Sequence, residues 1–268
     1  MIPRFRVLAV LVGGLAAGAL PVLATRVLAE DSREAARAEA AAPSDPAAVA
    51  IADRVMAALG GRRRWDALRG LRWTFGVAVD DTVRSTRRHS WDKWTGWDRI
   101  ERQDSGGRRI VVVVNVNDGT GRAWVNGRAA EGDSLRQLLE LGKSLWINDA
   151  YWLLMPYKLR DPGVTLEDAG EAVVDGAPCD KIALSFARVG QTPGDHYWVY
   201  VRRRDDRVVK WDMVLQGNQP PPRSYTWEDW EEAGGLWFAT AHRDGRRNVS
   251  TRDIEVAAEI PAAEFVAP

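Results

Sequence analysis

The imidazole and thiol side chains that serve metal binding, general acid-base work or nucleophilic attack are few in this sequence: three histidines, His89, His196 and His242, and one cysteine, Cys179. The histidines lie far apart, without the His-x-x-x-His spacing that sets two imidazoles on one helical face for a metal. A single cysteine allows no intramolecular disulfide and no Cys/His cluster. No Gly-x-Ser-x-Gly elbow, P-loop or Gly-x-Gly-x-x-Gly run occurs, so acyl and phosphoryl transfer have no local signature. The catalytic reading that remains is a hydrolase using Asp195 and His196, in a Gly194-Asp195-His196 loop feeding a strand. A solvated or hydrogen-bonded histidine is the plainer reading. No cofactor or metal is expected.

What the chain has in excess is tryptophan, 13 in all. Each buries on the order of 150 to 250 Å² and can simply thicken the core of a thin sheet. A wide sheet face lined by Trp, Tyr and Met with few polar groups is also how a cavity for an apolar ligand is built. The residues expected to line such a cavity are Trp73, Phe75, Trp124, Trp146, Tyr151, Trp152, Met155, Trp198, Trp211, Met213 and Trp227. Sugar stacking would require exposed rings beside clustered Asn, Asp and Gln, which are sparse next to these tryptophans.

These side chains must be positioned mainly by strands. Leu71, Trp73, Phe75, Val77 and Val79 alternate with smaller or polar residues, the period of two that gives a strand one dry face. Asp118-Gly119, Asn126-Gly127, Asp175-Gly176 and Asp244-Gly245 are dipeptides that accept positive φ in tight hairpins. The pattern predicts about a dozen antiparallel strands, a number that curls or closes rather than staying flat. The expected fold is α+β and mainly β, an unclosed β-barrel with an N-terminal helix and an internal helical plug.

The N-terminal helix is read from Val49, Ala52, Val55, Met56 and Leu59 at helical spacing, ended by Gly60-Gly61. The plug is read as two helices. Ser134-Leu135-Arg136-Gln137 has the capping-box form, and Asn148 or Asp149 can cap a second, short helix carrying Tyr151, Trp152, Leu153, Leu154 and Met155 up to Pro156.

Lys plus Arg and Asp plus Glu are both 37, so nucleic acid has no global electrostatic support. Residues 1–29 hold three of the bases, Arg4, Arg6 and Arg26, and no acid, leaving 34 bases against 37 acids and a net charge of −3. That basic start, the apolar run to Ala24 and the small residues after it read as a secretory signal, with an uncleaved inner-membrane anchor as the other reading. Residues 30–46, rich in Ala, Glu and Arg and ending Pro43-Ser44-Asp45-Pro46, read as a flexible linker, and residues 47–268 as one domain.

Three motifs carry a resemblance. Asn148-Asp149-x-Tyr151-Trp152-Leu153-Leu154-Met155-Pro156 comes first, then Lys158-Leu159-x-Asp161-Pro162-Gly163-Val164, then Thr192-Pro193-Gly194-Asp195-x-Tyr197-Trp198-Val199-Tyr200. They are shared with an uncharacterised group of exported bacterial proteins, and in architecture the chain resembles the LolA/LolB-like superfamily of lipoprotein carriers. The resemblance implies an unclosed barrel with helices across its mouth, a hydrophobic cavity, a periplasmic location and no catalytic residue. The expected partner is a lipid or a lipidated protein, with contact at a membrane surface. A structural or protein-interaction module of the envelope, with the tryptophans as core only, is the competing reading.

Overall fold

A computed structural model describes residues 43–186, 195–215, 218 and 220–268. The signal and most of the linker, along with Thr192, Pro193 and Gly194 of the third motif, lie outside the described residues. Helix α1, Pro46–Ala58, begins where Asp45 accepts a hydrogen bond from the Ala47 amide at 2.8 Å and Pro46 fixes the first turn. It buries Ile51, Ala52, Val55 and Met56. It ends at Leu59, followed by Gly60 at φ 112° and Gly61 at φ 89°. A Cβ on Gly60 would lie 2.1 Å from the carbonyl oxygen of Gly235, so no side chain fits that crossing. Helix α2, Arg62–Ala67, then buries Trp65.

Strands β1 (Gly70–Val79), β2 (Thr82–Asp92), β3 (Trp97–Gln103), β4 (Arg109–Asn115), β5 (Gly121–Val125) and β6 (Arg128–Ala129) run as an antiparallel meander. After the helical plug come β7 (Val164–Val174), β8 (Ala177–Phe186), β9 (His196–Arg202), β10 (Arg207–Val214) and β11 (Arg223–Thr226), a second antiparallel sheet in the order β11-β10-β9-β8-β7. The last strands, β12 (Glu228–Ala233), β13 (Leu236–Arg243) and β14 (Arg247–Ala257), return to the first sheet, where β14 pairs with β1. The larger sheet therefore reads β12-β13-β14-β1-β2-β3-β4-β5-β6, and its end strands do not pair, which leaves it unclosed. Turn chemistry is where the sequence places it: Asn126 and Gly127 sit at φ 50° and 77°, Asp175 and Gly176 at 48° and 76°.

The plug differs from its expected form. It is a single helix α3, Gly132–Leu154, of 23 residues, followed by a 3₁₀ turn at Met155–Tyr157. Its N-cap is Glu131, ahead of the Ser134 capping box. Asp149 caps no second helix, because its carboxylate is spent on Arg87 and His89 of the sheet and the backbone runs on helically beneath it. The helix ends just ahead of Pro156, as the proline requires. It meets the larger sheet closely at Gly142, where a Cβ would lie 2.6 Å from Val112 Cγ1. Leu135, Leu138 and Leu139 pack there against Ile110, Val112, Val114 and Ala123.

Candidate functional site

The C-terminal half of α3 lies between the two sheets and is held by an ionic anchor and an aromatic cluster. Residues opposite each other in adjacent strands share a face. Leu71 and Trp91, Trp73 and His89, Phe75 and Arg87, and Val77 and Ser85 are such pairs, so the face of β1 and β2 toward the helix is apolar except for Ser85, Arg87 and His89. Asp98 lies opposite Trp91 on β3 and joins them.

His89 is fully buried, with Nδ1 3.0 Å from Asp98 Oδ2 and Nε2 3.1 Å from Asp149 Oδ2. The Arg87 guanidinium grips the same Asp149 carboxylate twice, Nε donating to Oδ2 at 2.5 Å and Nη2 to Oδ1 at 2.9 Å. Asn148 donates to Asp149 Oδ1 at 2.8 Å. Trp73 stacks on the imidazole at 4.4 Å, and the Arg87 guanidinium lies 4.7 Å from the Phe75 ring. Burial opposes charge on His89, but the two carboxylates outweigh it and push its pKa up to about 9. Burial lifts Asp98 to about 6 against the pull of His89, while hydrogen bonds from His89 and Arg87 overcome burial and lower Asp149. At neutral pH the chain Asp98, His89⁺, Asp149, Arg87⁺ is thus two cations alternating with two anions, with the His89, Asp98 and Asp149 side chains fully buried. Its chemistry is to fix α3 at one height on the sheet.

Beyond that anchor the helix presents rings. Trp146 meets Trp91 at 5.5 Å. Tyr151 sits among Phe186, Tyr197 and Trp211 at 6.4, 6.1 and 5.9 Å. Trp152 meets Trp211 at 4.7 Å, Tyr225 at 4.9 Å and His242 at 5.4 Å. Trp227 closes the group, 5.5 Å from Trp211 and 4.3 Å from His242. The indole N–H groups of Trp73, Trp91, Trp146, Trp211, Trp227 and Trp230 are buried with no hydrogen-bond partner. The carbonyls of Thr226 and Trp152 lie beside His242, yet neither ring nitrogen reaches hydrogen-bonding geometry. Burial pushes His242 down to about 3 and keeps it neutral.

All but two of the cavity candidates meet here: Trp73, Phe75, Met155, Trp211, Met213 and Trp227 are buried in one cluster, with Trp146, Tyr151 and Trp152 packed against it. Trp124 is on the opposite face of the larger sheet, packed with Val111, Val113, Ile260 and Phe265. Its partner Val111 alternates with the helix-facing Val112, which fixes that side. Trp198 lies on the outer face of the second sheet, opposite Ala183 and Asp212, with the Lys181 ammonium 5.6 Å from its ring. One-residue alternation with the inward Tyr197 and Val199 puts it outside. The sequence reading missed Arg87, His89, Asp98 and Asp149 as a group; the available signal was polar residues on the dry face of β2.

Of the other candidates for chemistry, Asp195 borders this cluster through Tyr197. Asp195 accepts a hydrogen bond from Tyr197 at 2.8 Å and is buried, whereas His196 is exposed. Cys179 is buried, which pushes its thiol up. No helix among the described residues is long and apolar enough to cross a membrane.

No family model matches this chain, and no curated protein matches it. Several solved structures do. A DUF1329 family protein from Desulfovibrio piger aligns at a TM-score of 0.48 and 13% identity over 83% of this chain and 98% of that one. A LolA superfamily protein from Nitrosomonas europaea aligns at 0.46 and 10% over 79% and 97%. A candidate outer membrane lipoprotein-sorting protein domain from Vibrio parahaemolyticus aligns at 0.44 and 7% over 76% and 93%. These likenesses are weak and at low sequence identity, so the reading of the site rests on this chain's own residues.

Proposed function

We propose that this chain is an exported, non-catalytic binder of a lipid, a lipoprotein acyl chain or another apolar ligand, working in the periplasm and holding its cargo between the two sheets and the C-terminal half of α3. The supporting observation is the convergence of Trp146, Tyr151 and Trp152 of the helix on Trp91, Trp211 and Trp227 of the strands, in a compartment whose ring nitrogens are unpaired. Rings in this arrangement give up their mutual contacts to an acyl chain at little loss, because both are apolar. The ionic anchor then sets how far the helix yields. The interlocked rings also suit the competing reading, an envelope module whose tryptophans are only core.

Native mass spectrometry separates the two. The protein purified from cells, then incubated with phospholipid and with a triacylated lipopeptide, is expected to carry an adduct of lipid mass. A bare chain in both samples overturns the proposal and leaves the packed-core reading.

A further inference from the structure

Within that compartment the unpaired polar atoms are not spread evenly. Trp211, Tyr225 and His242 border the ring of Trp152, and Trp211 and His242 both border Trp227. Trp211 and Trp227 are each 2% exposed and His242 is 0% exposed. The indole nitrogens of both tryptophans and both imidazole nitrogens lack a hydrogen-bond partner. An indole can only donate, and a neutral imidazole donates from one nitrogen. Two of these donor residues, Trp211 and His242, therefore border one half-buried side chain, and the third, Trp227, lies against both of them. Trp152 itself is only half-buried and sits on the last turn of α3, just ahead of the 3₁₀ turn at Met155.

We infer that the space held by the Trp152 ring is a binding site for a neutral hydrogen-bond acceptor joined to an aliphatic chain, an acyl ester or amide, with His242 and the indole N–H group of Trp211 as its donors. The inference rests on the apolar-ligand reading above and names the chemistry of its ligand. A leaving Trp152 ring vacates apolar surface for the chain, and the ester carbonyl takes up donors that the Thr226 and Trp152 carbonyls beside His242 do not meet in hydrogen-bonding geometry. An anionic head group is the wrong partner. The rings meeting Trp152 carry no charge, burial keeps His242 neutral at physiological pH, and Arg247 beside Tyr225 is offset by Asp244 at the same ring, so a carboxylate or phosphate there is desolvated without a free counterion.

The test uses the full chain with Trp152→Ala and three probes of closely similar length: methyl decanoate, undecane and decanoate. The ester is expected to bind about tenfold more tightly than the alkane, the free-energy equivalent of one to two recovered hydrogen bonds. In spectra of protein carrying ¹⁵N-labelled tryptophan, the ester alone moves the Trp211 indole N–H signal downfield. His242→Phe in the same background retains the ring and lowers the preference to about twofold or less. If Trp152→Ala does not fold, Trp152→Leu and the unsubstituted chain are measured in the same way. Equal binding of ester and alkane leaves the apolar-ligand proposal standing and overturns this inference, as does a preference for decanoate. Binding of no probe to any of these proteins overturns both.

Discussion

His89 on β2 and Asp149 on α3 meet through Nε2 and Oδ2 at 3.1 Å, with neither side chain exposed to solvent. The helix is therefore tied to the sheet by a charge that can be removed with pH. His89 is raised from 6.5 to about 9 on folding. A group raised in this way contributes stability that is fully present below the unfolded value and is lost as pH climbs through the folded one. Asp98, at about 6, is largely ionised from the lower edge of that window and Asp149 is lowered, so most of the fall between pH 6.5 and 9 belongs to His89. Its size is on the order of 3 kcal/mol, at 1.36 kcal/mol per pKa unit. Urea unfolding of the natural protein should weaken across that range, and His89→Gln should be less stable at pH 6.5 with a flatter profile. Parallel profiles for the two proteins would exclude His89 as the titrating group.

Arg87 supplies the other half of the tie and is 10% exposed at its side chain. Arg87→Met keeps most of the contact with Phe75 but leaves Asp149 to His89 and Asn148 alone. Removing one partner of a buried pair typically costs about 3 to 5 kcal/mol, and the remaining partners put this substitution at the lower end. The same substitution frees α3 to move, so uptake of an acyl lipid should be faster in the less stable protein. A loss of stability accompanied by slower uptake would mean that the helix does not yield for the ligand.

The strands were legible because their cause is local. Turn dipeptides such as Asn126-Gly127 and the alternation in Leu71 to Val79 act within a few residues, and the structure follows them. The return of β14 to β1 was not legible, since Phe75 and Thr251 pair across the whole length of the domain. Nor was the ionic anchor, whose members sit on β2, β3 and α3 and read singly as ordinary polar residues. Asp149 misled most directly: a helix-capping residue type, placed before an apolar run, is the local signal for a new helix, and only the tertiary partners Arg87 and His89 override it. Trp124 and Trp198 were misplaced because aromatic type does not say which face of a strand a residue occupies unless the register of its neighbours is known.

Tyr157, in the turn after α3, ties the plug to α1 and to β13. Its hydroxyl lies 3.0 Å from the Leu59 carbonyl oxygen and 2.7 Å from that of Trp237, and accepts from the Trp237 amide at 2.9 Å. Its ring stacks on Trp65 at 4.6 Å. Tyr157→Phe preserves the stacking and removes only the hydroxyl, leaving buried backbone groups short of a partner. The Trp237 amide keeps the Leu59 carbonyl at 3.1 Å, so the loss is moderate. A destabilisation of about 1 to 2 kcal/mol in chemical denaturation is expected; a change near zero would show that Tyr157 acts through its ring alone.

The location of bound lipid can be read from the tryptophans themselves, because bromine on an acyl chain quenches only the indoles it touches. Trp152 and Trp211 face one another at 4.7 Å inside the compartment, whereas Trp124 packs with Ile260 and Phe265 on the far side of the larger sheet and Trp198 faces outward beside Lys181. Replacing Trp211 or Trp152 by Phe removes emission that a bound brominated chain would extinguish, so the quenched fraction should fall. Replacing Trp124 or Trp198 by Phe removes emission that the chain does not reach, so the quenched fraction should rise. The opposite signs distinguish position from stability: Trp124 is 8% exposed, and its loss also weakens packing, yet it shifts the fraction upward. A fall in all four variants, or a rise in Trp211→Phe, would place the chain somewhere other than between α3 and the sheets.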